Sequence, residues 1–457
     1  MTNWKRTLFS SGGGGETTWG VQLRNTASAG DYDRMGLTVG DDGSVYVAEG
    51  FVSGYGESTY ATNVIKVDTD GAFQWSRRLS VSGNNTPYCR YPIMLDGSPV
   101  LLGVTQDYLI GSSQEGIAIK LNPTTGANTW AEHYGKSGTT YNPSIGHGSP
   151  GGVQSGNIGL FTFNGSQPKT QRVMVRFNSS GVIQSSNMAT FSLSAGKEQG
   201  LLYSGVGPSD AIFLSGYIEQ NSPSYVGNFT VLNSTGSSVT WNASVKFSSS
   251  SYYAEGMGGC MDSAGNGYHT GRIGGSGQVG TYFVKFPSGG GSLSWSNCYY
   301  ETSGQQPLIR TRIVTDDTSV FGGGYGGDPS TSASGAWLSY ATSNGSLNYH
   351  KLVRMNNNGS WIRDIALSNT GFLYLLGTDY SVSPTGMFVM KVSVDGLDNG
   401  SYGDFDITDA SRSNGTTPIY NSGYTPSISN EGMTDLTDTP TNNASTGTWT
   451  ETLQSFA

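Results

Sequence analysis

Charge is scarce in this 457-residue chain: Asp, Glu, Lys and Arg together make up only 12% of it. The Lys and Arg residues form no cluster or stripe, and direct nucleic-acid binding needs one to track phosphates. Long apolar runs are missing too. None approaches the ~18–20 residues that cross a bilayer as a helix, so membrane insertion is not expected. Residues 1–15 hold two bases without an apolar stretch after them, so they do not read as a secretory signal. Cysteine is nearly absent. Cys89, Cys260 and Cys298 are odd in number and far apart, which excludes a disulfide framework and leaves them as small core hydrophobes.

Catalytic and ligating patterns are equally thin. His133, His147, His269 and His350 fall in four different parts of the chain with no metal-ligand spacing. There is no Gly-x-Ser-x-Gly, His-Glu-x-x-His or phosphate-loop sequence. Asp68-Thr-Asp-Gly71 lacks the twelve-residue calcium loop and its closing Glu. No catalytic, cofactor-binding or metal residue is assigned, no cofactor is expected, and the chain does not read as an enzyme.

What is present is glycine, 68 residues of it, about twice the usual ~7%. Glycine weakens helices and suits tight turns, so a helical protein is excluded. It does not recur at every third position, so collagen is excluded as well. Aromatics at 11% argue for a packed rather than a disordered chain. The remaining class is a large, turn-rich, all-β protein.

A period sharpens this. An alternating apolar stretch recurs seven times, centred on Ile65, Ile119, Val175, Val231, Val284, Leu338 and Met390, at spacings of 52 to 56. Each unit reads as four short strands, A to D. Turns such as Asp70-Gly71, Asn178-Ser-Ser-Gly181 and Asp395-Gly396 precede strand D, because Gly tolerates positive φ there. Four-strand units of this length, repeated four to eight times, signal a β-propeller. The seventh unit has no strand D, while Trp19-Gly-Val-Gln-Leu23 stands as an orphan before the first. The N-terminal strand is therefore expected to complete blade seven and close the ring. The expected organisation is an N-terminal anchor peptide with a Gly-rich tether (1–16), a seven-bladed propeller (17–396) and an acidic C-terminal arm (397–457).

The blade ends carry a resemblance. Gly71…Trp75, Gly126…Trp130 and Gly291…Trp295 resemble the tryptophan-docking repeat of quinoprotein-type propellers. This implies that each Trp packs between neighbouring blades with its indole N–H on a backbone acceptor. The A–B and C–D turns are short and stereotyped. The connections on the opposite face are long and rich in Tyr, Ser, Asn and Gly, a composition suited to binding. Tyr55, Tyr60, Tyr141, Tyr225, Tyr252, Tyr253 and Tyr325 are the candidate binding residues of that loop face.

The ends differ from the ring. Residues 397–457 hold eight acids and one base, Arg412, with scattered large apolar residues. They read as an arm ordered against a partner. Trp4, Leu8, Phe9, Trp449 and Phe456 are the candidate assembly anchors. The Gly-rich start and Asp435-Leu-Thr-Asp-Thr-Pro-Thr-Asn-Asn443 are similar to segments of virion proteins of marine tailed bacteriophages, including cyanophages. That likeness implies a non-enzymatic structural or tail-appendage protein, assembled in the host cytoplasm. It would be present in several copies, joined through both termini to other virion proteins, with the host surface as a further partner. No fibre shaft or capsid motif accompanies it. An extracellular glycan-binding propeller is the alternative, and a polysaccharide-degrading enzyme with channel carboxylates is a third reading.

Overall fold

The computed structural model describes residues 5–9, 18–23, 35–51, 61–81, 87–106, 114–135, 149–164, 171–191, 199–219, 225–247, 253–275, 278–300, 308–326, 334–355, 359–379, 386–402, 404–409, 413–414, 419–421, 427–430, 434–435 and 449–453. Among them lie 36 strands and one short 3-10 turn, Pro208–Asp210. The strands form seven antiparallel sheets, one per sequence repeat. The innermost strands, from blade one to blade seven, are Met35–Val39, Pro87–Leu95, Ser149–Gln154, Gln199–Val206, Tyr253–Met261, Leu308–Thr315 and Ser360–Leu367. Each packs beside the next, and the last packs beside the first, so the ring is closed.

Closure follows the sequence expectation. Blade seven takes Ser360–Leu367, Phe372–Asp379 and Gly386–Ser393 from the end of the repeat, and Thr18–Leu23 as its fourth strand. Trp19 lies opposite Lys391 and Leu23 opposite Met387. Trp19, Val21 and Leu23 are fully buried.

Blades bury both faces, so their middle strands read as nearly unbroken apolar runs. Val64, Ile65 and Val67 are all inaccessible to solvent. The buried apolar side chains sort into seven clusters, one at each junction between neighbouring blades. Cys89, Cys260 and Cys298 are free, buried thiols within these clusters. Burial pushes the Cys89 thiol up to about 12.

The junctions repeat one device. The indole N–H of Trp19, Trp75, Trp130 and Trp295 donates to a carbonyl in the next blade's C–D turn. The acceptors are Thr69 at 2.9 Å, Pro123 at 3.3 Å, Ser179 at 3.0 Å and Thr342 at 3.0 Å. Lys66, Lys120 and Lys285 donate to the same Pro123, Ser179 and Thr342 carbonyls. The turn glycine lies against the ring. A Cβ on Gly126 would come within 2.8 Å of Trp75, and φ there is +72°. Blades three and six substitute Asn187, which donates to Thr235 O, and Tyr349, packed on Gly396.

The two ends depart from expectation. They are not set apart from the ring as anchors; each adds outer strands to it. Lys5–Phe9, which contains Leu8 and Phe9, pairs with Thr18–Leu23 on the outside of blade seven. The C-terminal segment runs backwards round the ring. Phe405–Asp409 pairs onto blade six, Ser413–Asn414 onto five and Ile419–Asn421 onto four. Ser427–Asn430 then pairs onto three, Thr434–Asp435 onto two and Trp449–Leu453 onto one. The physical reason is that every fourth strand would otherwise leave an open edge of N–H and C=O groups. Trp449 thus sits in an outer strand, while Trp4 and Phe456 lie outside the described residues.

Two expectations follow. Gly126→Ala should cost about 2–4 kcal/mol in urea unfolding, from positive φ plus the clash with Trp75. Gly97→Ala, also at positive φ but with open space around its Cβ, should cost only about 1–2 kcal/mol. Removing residues 410–457 should leave the ring folded but self-associating through the uncovered edges. Light scattering after size exclusion reads this, and a monodisperse monomer would contradict it.

Candidate functional site

The loop face carries two aromatic junctions. At the first, Tyr217 meets Tyr225 edge-on at 5.1 Å, and Tyr225 meets Tyr253 at 5.4 Å. Tyr225 and Tyr253 are the first residues of their strands, which places them at the rim between blades four and five. The Arg272 guanidinium lies 5.9 Å from the Tyr253 ring and 3.9 Å from Glu255. At the second junction Tyr325 stacks on Trp361, with centroids 4.6 Å apart and planes 16° apart. Arg363 sits 4.1 Å from the indole. Tyr325 belongs to the strand Ser319–Gly326 of blade six rather than to a loop, and Trp361 to the inner strand of blade seven. All these side chains are half-buried. Flat rings beside guanidinium groups suit a ligand with both apolar faces and polar edges.

Three of the seven candidate tyrosines, Tyr225, Tyr253 and Tyr325, are thus placed at junctions. Tyr55, Tyr60, Tyr141 and Tyr252 lie outside the described residues. Sequence reasoning missed Tyr217, Trp361, Arg272 and Arg363. Tyr217 and Trp361 lie 8 and 36 residues from Tyr225 and Tyr325, separations that are not a blade period, so no repeat signal marked them.

A cavity of about 410 Å³ opens along the ring axis at the opposite end. Near its floor Arg312 makes a two-pronged bond to Asp364, Nε to Oδ1 at 3.0 Å and Nη2 to Oδ2 at 2.8 Å. Arg312 also donates to Leu37 O, and Leu37 N donates to Asp364 Oδ2 at 2.8 Å. Blades six, seven and one are joined there. Tyr203 faces the same cluster, and burial holds its phenol well above the usual range.

The charged residues within the turns round the cavity are all acidic, and Lys120 reaches one of them, Asp96, at 3.8 Å. The A–B turns carry Asp41, Asp42, Asp96, Asp210, Asp262, Asp316 and Asp317, and the C–D turns carry Asp68, Asp70, Asp395 and Asp398. No Lys, Arg or His occurs in any of these turns. Ser155 donates through N and Oγ to the Asp210 carboxylate, and Ser263 N donates to Asp317. These bonds hold both carboxyls below the usual range, so both are charged at neutral pH.

The nearest thing to a catalytic relay is inside blades four and five. Ser215 Oγ lies 2.9 Å from His269 Nδ1, and His269 Nε2 lies 2.8 Å from Tyr282 OH. All three are fully buried, and Gly227 and Gly256 press on the ring. No substrate reaches this Ser. The chain of bonds satisfies buried polar groups. Among the described residues, no group of three or more His, Cys, Asp or Glu is placed to hold a metal.

No family model matches the chain, and no curated protein matches it. Three solved structures are similar to it at low identity. A quinohemoprotein alcohol dehydrogenase from Pseudomonas putida is 10% identical, with 83% of this chain and 76% of that one covered and a TM-score of 0.37. The quinohemoprotein alcohol dehydrogenase from Comamonas testosteroni is 11% identical over 82% and 70%, with a TM-score of 0.42. The WD40 domain of SCAP from fission yeast is 9% identical over 82% and 98%, with a TM-score of 0.36. The seven-blade assignment rests on the sheet order itself.

Burial lowers the His269 pKa to about 3, below the unfolded value near 6.5. Protons therefore bind the unfolded chain more tightly. The stability from neutral His269 is complete above pH ~6.5 and falls toward pH 3, by roughly 1.4 kcal/mol per pH unit. Urea titrations at pH 7, 6, 5 and 4 should show this slope. His269→Gln, which keeps a polar side chain without titrating, should flatten it.

Proposed function

We propose that this chain is a non-enzymatic structural and binding protein of a bacteriophage virion, carried on the tail or the capsid in several copies. Its loop face meets the host surface or a neighbouring virion protein. One observation carries the binding role: a ring whose every blade takes an outer strand from its own chain, paired over two to five residues, holds two aromatic–arginine junctions on one face. A rigid ring with side chains, not strand edges, on offer suits a recognition scaffold. The likeness of Asp435–Asn443 and of the Gly-rich start to phage virion proteins supplies the setting. With Lys5–Phe9 and Trp449–Leu453 paired onto the ring, contacts to neighbours fall chiefly to the two faces.

The glycan-binding alternative shares the same tyrosines and differs in its setting. Mass spectrometry of purified phage particles from a host carrying the gene separates them. The chain is expected among the particle proteins, in a copy number tied to a tail or capsid symmetry. Its absence from particles, together with glycan-array retention that Tyr225→Ala and Trp361→Ala abolish, would overturn the virion reading in favour of the lectin.

A further inference from the structure

The rim between blades four and five holds more than its aromatic rings. Arg272 and Glu255 lie opposite each other on neighbouring strands of blade five. Their side chains keep 25% and 20% of their surface exposed, so both reach solvent. The Arg272 Nε is buried and has no hydrogen-bond partner among the described residues. Its Nη1 stands 3.9 Å from Glu255, beyond hydrogen-bond reach. A guanidinium with unspent donors beside a carboxylate offers donors and acceptors within one small patch. At the second junction, by contrast, Arg363 Nε donates to Thr378 Oγ1 at 3.3 Å, and Tyr325 stacks on the indole.

The rings beside this pair are pinned. A Cβ on Gly200 would run into the ring of Tyr217, and a Cβ on Gly274 into that of Tyr253, so each ring lies against the backbone of a neighbouring strand. Tyr225 meets both of them edge-on. Rings held this way lose little freedom on binding. Charge then chooses among ligands. Glu219 lies opposite Tyr225 at the same rim, and the buried Arg172 is within electrostatic reach of Tyr217. Two carboxylates and two guanidinium groups cancel, so the rim has no net charge with which to hold an ion. A neutral ligand with an apolar face and several hydroxyls matches it.

We propose that this corner of the loop face is a subsite for one neutral hexopyranose residue of a surface polysaccharide. The apolar face of the sugar lies on Tyr225 and Tyr253, and its vicinal hydroxyls are bonded by Arg272 as donor and Glu255 as acceptor. The inference rests on the loop face being the binding face of the ring, and it adds the ligand class and the residues that read it.

Saturation-transfer NMR on the full chain tests it with the methyl glycosides of glucose, mannose and galactose, and with methyl glucuronide as the anionic probe. At least one neutral glycoside should bind in the millimolar range, and the glucuronide about tenfold or more weakly. Arg272→Gln and, separately, Tyr225→Ala should each weaken the neutral glycoside about tenfold, with thermal unfolding within a few degrees of the unaltered chain. Either variant suffices if the other fails to fold. Glu255→Gln removes one carboxylate and should narrow the gap between the neutral and anionic probes. Binding of none of the neutral glycosides, tighter binding of the glucuronide, or binding that survives both Arg272→Gln and Tyr225→Ala would overturn the subsite. Adhesion of the labelled chain to host cells, lost with Trp361→Ala, separates the two failures: where the unaltered chain adheres without binding any glycoside, the loop face keeps its role and only this subsite falls.

Discussion

The ring depends on an aromatic side chain seated on the next blade's turn glycine. A four-stranded blade with two apolar faces has no stable existence alone, because only a neighbour on each side removes those faces from water. The docking fixes how neighbours meet. The glycine's missing Cβ lets the ring approach the turn backbone, and the indole N–H then takes a turn carbonyl, as Trp75 does with Gly126 and Pro123. At the last junction the aromatic is Trp19, delivered from the far end of the chain to Thr69. The same sector is held in depth. Arg312, Asp364 and Leu37 bind blades six, seven and one near the axis. Lys5–Phe9 covers the outer edge of blade seven.

The repeat was legible because strand alternation and turn chemistry are local. The orphan Trp19-Gly-Val-Gln-Leu23 was legible because its missing counterpart sits in unit seven. The partners across junctions were less visible, though they carry a simple signature. Trp19 reaches 50 residues ahead, Trp130 reaches 49 and Ser215 reaches 54, while Arg312 reaches 52. These separations are one blade period. Residues one period apart in a propeller stand side by side, so Arg312 and Asp364 are an ion pair that the period itself predicts. Tyr325 was marked for its loop-like, Gly-rich surroundings, yet its partner Trp361 lies in a strand that composition gave no reason to single out. The outer strands were illegible for a different reason. Segments of two to five residues held by backbone pairing show no side-chain period.

Charge is distributed by face as well as by segment. Asp and Asn serve the turns because their side chains bond the backbone two residues on. Asp42 does so to Ser44 N at 2.9 Å and Asp68 to Asp70 N at 3.0 Å. Repeating that local solution at successive blades adds carboxylates on one side of the ring. The opposite face has aromatic rings and guanidinium groups at its rim. The two faces therefore differ both in charge and in the side chains they present.

The C-terminal strands also order the assembly of the fold. Each pairs with the fourth strand of a different blade, from six back to one, so none gains a partner until that blade exists. Two- to five-residue strands bring too few bonds to offset their own ordering entropy in isolation. Each outer strand therefore settles onto a blade that has already formed. Their pairings span most of the chain, from Phe405–Asp409 on blade six to Trp449–Leu453 beside residues 77–81 on blade one. The acidic, Gly- and Ser-rich composition of this segment suits that role.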